Sequence, residues 1–202
     1  MRVLALDTAS PYPALALAEL SGGAVVRELL RPLPPAAAEA IAPELQRLLA
    51  EAGLDAKAVS RVAVLSGPGS FTGVRAGLAF ARGIARALGV PLVPVRTFRA
   101  AASAYEERPD ADLLLDAGRG EVFRARRRRG VVTEDAVPVP AARAAEDAAT
   151  DGVAVIDLSL PGASLAAAAA SLGAAVAAGD IDGLPVYGRP SAAEEKLEGR
   201  RP

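Results

Sequence analysis

Short bursts of apolar residues, each closed by glycine, proline or a small polar residue, set the rhythm of this chain. Arg2 to Leu6 is an unbroken apolar run after its first residue and predicts a buried strand. Thr8 to Tyr12 then turns, with Pro11 and Pro13 limiting its conformations. Ala14 to Leu20 and Ala24 to Leu30 alternate well enough for two strands, joined at Ser21-Gly22-Gly23 in a hairpin. Pro32, Pro34 and Pro35 stop the sheet. From Ala36 to Ala52 the spacing changes, with Ile41, Leu45, Leu48 and Leu49 at helical intervals and Gly53 as the stop. Val62 to Leu65 predicts the next strand, Thr72 to Leu88 a helix, and Pro91 to Val95 a short strand.

The second half repeats this grammar loosely. Asp112 to Leu115 and Glu121 to Arg128 read as strands about Gly118-Arg119-Gly120, and Val131 to Val137 as a third. Ala141 to Ala149 predicts a helix, Val153 to Asp157 a buried strand, and Ser164 to Ala178 a helix closed by Gly179. The order of elements suggests a duplicated α/β unit, with lobes at 1–99 and 100–202 and the boundary within Thr97 to Pro109.

Composition narrows the chemistry. Half of the 202 residues are apolar, mostly Ala, Val and Leu, so the core must be built from small side chains packed closely. Cys and His are both absent, which removes thiol chemistry, the zinc motifs and the commonest general base. A net charge of −1 gives no global attraction to nucleic acid or to anionic membrane. No segment reads as a signal peptide or a membrane span, so a cytoplasmic protein is the expectation.

The richest stretch is Val62 to Gly89, a strand–loop–helix unit whose loop reads Gly67-Pro68-Gly69-Ser70-Phe71-Thr72-Gly73. A phosphate-binding P-loop needs Lys-Ser/Thr after the last glycine, and Val74-Arg75 stands there; the dinucleotide fingerprint fails by one position. Either the helix start accepts an anion, with Ser70 or Thr72 as cap, or the glycines merely permit a tight turn. Gly69, Gly73, Gly77 and Ala81 recur every four residues along one stripe. Each helical Gly costs about 1 kcal/mol relative to Ala, which close approach of another element, from this chain or another subunit, would offset.

Asp7, at the end of the first strand beside Thr8, can organise a hydrated magnesium ion or simply close its turn. Asp116 echoes it at the end of a second strand. The arginine run Arg126 to Arg129 reads as a nucleic-acid patch or as the charged tip of a hairpin.

Leu6-Asp7-Thr8-Ala9-Ser10, Ser66 to Ala79 (SGPGSFTGVRAGLA) and Asp116 to Phe123 (DAGRGEVF) together closely resemble the TsaB (YeaZ) family, and Leu184 to Pro190 resembles its C-terminal Pro-x-Tyr signature. The resemblance implies a two-lobed α/β fold of the actin/Hsp70/sugar-kinase type (ASKHA), each lobe a mixed sheet with helices. It implies a non-catalytic accessory subunit for threonylcarbamoylation of the adenosine beside the anticodon in ANN-reading tRNAs. The implied partners are the catalytic paralogue TsaD, which carries the metal-binding histidines, and the ATPase TsaE, with a homodimer when the chain is isolated and no strong tRNA binding of its own. The docking surface implied is the helix from Gly73 onward, with Gly69, Ser70, Phe71, Thr72, Gly73, Arg75, Ala76, Gly77, Phe80 and Ala81. No cofactor is implied for this chain, Asp7 and Thr8 being the weak candidates for one, with room for ATP or ADP at an interface of the complex. The alternatives are a nucleotide-binding kinase or ATPase of the same fold, using Asp7, and a glycoprotease-like peptidase.

Overall fold

A computed structural model describes residues 1–34, 38–135 and 137–175. The Pro-x-Tyr string and the expected helix end at Ala178–Gly179 lie outside the described residues. Two five-stranded sheets form the frame.

In the first sheet, β1 (Arg2–Asp7), β2 (Ala14–Ser21) and β3 (Ala24–Pro32) form an antiparallel meander. α1 (Ile41–Ala52) carries the chain across to β4 (Arg61–Leu65), which pairs parallel to β1, and α2 (Phe71–Leu88) leads on to β5 (Leu92–Val95), parallel to β4. The order is β3-β2-β1-β4-β5. Both long helices end where the sequence marks them: Gly53 and Gly89 adopt the left-handed conformation that a side chain resists.

Thr97 to Pro109, where the lobe boundary is expected, is not a bare connection. α3 (Thr97–Ala104) occupies most of it, and Phe98, Ala100 and Ala101 are buried in the common core. The second sheet follows as β6 (Ala111–Gly118), β7 (Glu121–Arg128), β8 (Val131–Glu134) and the short β9 (Val139–Pro140), then α4 (Ala141–Asp151) and β10 (Ala154–Asp157). Its order is β10-β6-β7-β8, with β9 also on β7. β10 is an edge strand, and only Ile156 in it is buried, which corrects the expectation of a buried strand there.

α5 (Leu165–Ala175) is apolar nearly all round, the signature of a helix covered on several sides. It returns to lie across β1, β2 and β4 of the first sheet, with α3 beside it. Neighbouring residues of a strand face opposite ways. A Cβ on Gly77 would sit 3.6 Å from Val64 Cγ2, whereas one on Gly173 would sit 2.7 Å from the Cβ of Ala63. α2 and α5 therefore cover opposite faces of the first sheet. The split at 99/100 separates the strands of the two lobes but not their layers: residues 165–175 belong spatially to the first lobe, whose second apolar face α5 covers.

Candidate partner-docking site

The centre of the site is the turn after β1. Asp7 Oδ1 accepts the backbone N–H groups of Ala9 and Ser10 at 3.0 and 2.9 Å, and Oδ2 accepts the Ser10 hydroxyl at 2.5 Å. The side chain is only 1% exposed. Burial pushes its pKa up to about 6, against the lowering effect of these three hydrogen bonds. Both oxygens thus serve the turn, and a buried carboxylate so engaged is not the open ligand that the magnesium reading requires. Thr8, the other weak cofactor candidate, is also committed, since its hydroxyl donates to Gly73 O at 2.7 Å.

That bond joins the turn to α2. Ser70 caps the helix, accepting from Gly73 N at 3.2 Å, while its own N–H donates to Ala9 O at 2.8 Å. A Cβ on Gly69 would come 2.3 Å from Ala9 O, one on Gly73 1.8 Å from Thr8 O, and one on Gly77 2.2 Å from Thr8 Oγ1. Side chains at these positions would hold the turn off. The partner of the glycine stripe is therefore the protein's own β1 turn.

This corrects part of the expected interface. Gly77 and Ala81 are buried in their own lobe, Ala81 at 0% exposure, and Gly73 is closed over by Thr8. The stripe is an intramolecular seat, not an open ridge, and Gly69 belongs to the same seat. The remaining expected residues lie outward: Ser70, Thr72 and Arg75 are exposed, and Phe71, Ala76 and Phe80 are half-buried. The Arg75 guanidinium stands 3.8 Å over the Phe71 ring, an arrangement that holds both side chains against the helix surface. Beside this face lies a recess of about 230 Å³, walled by Pro11, Pro13, Leu33, Pro34, Thr72 and Ala76. Its mostly apolar walls suit a hydrophobic side chain.

Asp116 does not join Asp7 in one cleft. It is exposed, and its Oδ1 accepts Gly118 N at 2.8 Å, closing the β6–β7 hairpin. What Asp116 does meet is one link between the lobes, Ser159, whose hydroxyl accepts from Asp116 N at 3.0 Å and whose carbonyl accepts from the Tyr12 hydroxyl at 3.2 Å. Neither Tyr12 nor Ser159 stands out in the sequence, because the contact spans 147 positions of the chain.

Within the arginine run, the hairpin reading fits and the nucleic-acid patch does not. Arg126 pairs with Asp135 and Asp147, as does the buried Arg124 just before it. Arg128 pairs with Asp112 and Asp151, and Arg127 donates to the carbonyls of Ala102 and Tyr105. Arg129 adopts a left-handed backbone at the hairpin tip, where its N–H donates to Asp110.

Comparison with known proteins agrees with these motifs. Residues 35–179 match the family model "TsaD: tRNA N6-adenosine threonylcarbamoyltransferase". The tRNA threonylcarbamoyladenosine biosynthesis protein TsaB of Escherichia coli is 33% identical over 132 residues, covering 64% of this chain and 56% of the relative. An uncharacterized protein of Mycobacterium tuberculosis is 35% identical over 145 residues, 72% of this chain and 66% of the relative. The chain spans between about half and two thirds of the length of the curated relatives it matches. The solved structure of YeaZ from Pseudomonas aeruginosa superposes with a TM-score of 0.68 at 26% identity, covering 92% of this chain and 100% of that one. The two-lobed α/β architecture is thus that of YeaZ, and the chain belongs to the threonylcarbamoyltransferase family, among its TsaB (YeaZ) members.

Proposed function

We propose that this chain is a non-catalytic scaffold subunit for threonylcarbamoylation of the adenosine beside the anticodon in ANN-reading tRNAs. It acts in the cytoplasm by pairing with the catalytic subunit TsaD and bringing in the ATPase TsaE, and pairs with itself when isolated. The observation that carries this reading is the build of α2. Its inner stripe is locked onto the β1 turn through Thr8, so its outer face is presented as a rigid surface beside an apolar recess. A docking surface held in this way loses little freedom on association. The chain's lack of histidine fits a subunit that leaves the chemistry to its partner.

The outward residues Phe71, Thr72, Arg75, Ala76 and Phe80 form the contact, with the recess taking an apolar anchor from the partner. The test is tRNA modification reconstituted from TsaD and TsaE, with and without this chain. Turnover is expected only in its presence, and equal turnover in both mixtures rejects the proposal. The kinase alternative needs an available carboxylate at Asp7, which the turn already uses.

A further inference from the structure

Gly83 is the glycine of α2 that the protein's own packing leaves unexplained. A Cβ on Gly73 or Gly77 would strike the β1 turn, whereas one on Gly83 would meet nothing within 4 Å. It stands exposed inside the helix and without a left-handed backbone. Alanine would make the better helix there, so Gly83 carries a cost that no contact among the described residues offsets. Charge sets the same stretch apart. At about 100° per residue, Arg75, Arg82 and Arg86 fall within about 40° of one another, with Ala79 and Gly83 beside them and Ala76 next in turn toward the recess. All three arginines are exposed, and α2 contains no Asp or Glu. Of the elements that pack most closely on it, the strands supply only Asp7, which its turn uses, and the short turn Ala38–Ala40 supplies the exposed Glu39. Arg86 complements the negative end of the helix dipole, but Arg82 lies more than a turn from that end and Arg75 near the other.

We propose that the last turns of α2 extend the docking face, with Gly83 seating a helix of the catalytic partner whose carboxylates face Arg82 and Arg86. The inference rests on the function proposed above and adds the chemistry of the surface that meets this chain. A missing side chain lets a second backbone come close, and the guanidinium groups beside it fit carboxylates in pairs of hydrogen bonds. A second copy of this chain is the poorer occupant. A two-fold pair sets the same patch on both sides, so the arginine stripe would face its own copy. Like charges across an interface are costly, whereas opposite charges steer encounter and fix register. Pairing with the catalytic partner and self-pairing therefore respond to salt with opposite signs, the first weakened and the second strengthened by screening.

The test uses the full-length chain as wild type, Gly83→Leu, Arg86→Glu and Ala76→Arg. Calorimetry measures binding to TsaD, and sedimentation measures self-association, each at about 0.05 M and about 0.5 M NaCl. Gly83→Leu is expected to melt about 2–4 °C higher than wild type, because the helix improves, yet to bind TsaD at least about tenfold more weakly. A glycine that merely faces water would give the first effect without the second. Arg86→Glu should weaken binding several-fold at the lower salt and less at the higher. Wild-type affinity for TsaD should fall with salt while self-association rises. Wild-type binding to TsaD that is indifferent to salt, or either α2 variant binding as wild type while Ala76→Arg fails to bind, overturns this inference and leaves the docking face in place. Gly83→Leu losing self-association alone would make a second copy the occupant and likewise overturn it. Unchanged binding by Ala76→Arg removes the docking face itself, and the inference with it.

Discussion

Gly77→Ala should destabilise the fold, although alanine is the better helix former, and the sign should reverse when the Thr8 side chain is shortened. The new methyl would stand 2.2 Å from Thr8 Oγ1, so the hydroxyl must swing away and give up its 2.7 Å bond to Gly73 O. A lost hydrogen bond of this kind costs about 1 kcal/mol, and forcing a methyl into a filled site typically costs about 1–3 kcal/mol. Against this stands a gain of about 1 kcal/mol in helix propensity. The net loss is expected at about 1–3 kcal/mol. Thr8→Ala removes the hydroxyl and leaves its Cβ, 3.5 Å from the new methyl, with Val64 Cγ2 at 3.6 Å, and both are ordinary contacts. In that background, then, Gly77→Ala should be neutral or stabilise by up to about 1 kcal/mol. Urea unfolding of wild type, the two single variants and the double variant gives the coupling energy directly. If Gly77→Ala costs the same in the Thr8→Ala background as in wild type, the stripe is not seated on this hydroxyl and the account of α2 is wrong.

Gly73→Ala meets the backbone oxygen of Thr8 at 1.8 Å, so Thr8→Ala should not rescue it, and chemical denaturation should show a loss of about 3 kcal/mol or more. For Asp7, the folded-state pKa of about 6 lies above the ordinary 3.8, so the fold favours the protonated acid. Its contribution is fully present below 3.8 and is lost as pH rises through 6, roughly 3 kcal/mol in all. Asp7→Asn keeps an acceptor for the Ala9 and Ser10 N–H groups, and the stability difference between wild type and this variant should change between about pH 4 and pH 6 and flatten above it; a constant difference refutes the assignment. On the outer face of α2, Thr72→Arg and Ala76→Arg should abolish co-purification with the catalytic partner while circular dichroism stays unchanged, and retained binding would move the docking surface elsewhere.

Much of the first sheet is legible along the chain because its signals are local. The Ser21-Gly22-Gly23 hairpin, the helical spacing of Ile41, Leu48 and Leu49, and the glycine stops at 53 and 89 each need only neighbouring residues. The stripe Gly69-Gly73-Gly77 is legible as a place of close approach, but periodicity names a face and not what lies against it. The occupant is a turn 65 residues upstream of Gly73, so an interface between subunits and a seat within one chain read alike. Asp7 illustrates the same limit: strand-end position fits a ligand or a turn, and only the three bonds from Ala9 and Ser10 decide. α3 escapes notice because Thr97 to Ala104 is mostly small residues, whose burial depends on what covers them. The matched aspartates of Arg124, Arg126 and Arg128 lie on other elements, so the run shows its charge and hides its neutralisation.

α5 comes last among the described elements and yet closes the first-built half of the molecule. During synthesis the opening sheet must wait, one apolar side bare, from the completion of β5 at Val95 until the ribosome has delivered Leu165 and the residues after it. A protein stopped before Leu165 would leave Val3 and Ala63 uncovered, and chaperones would meet it as an adhesive intermediate. The 1–99 half, expressed by itself, should accordingly accumulate in inclusion bodies, and supplying residues 165–175 as a separate peptide should draw it back into solution.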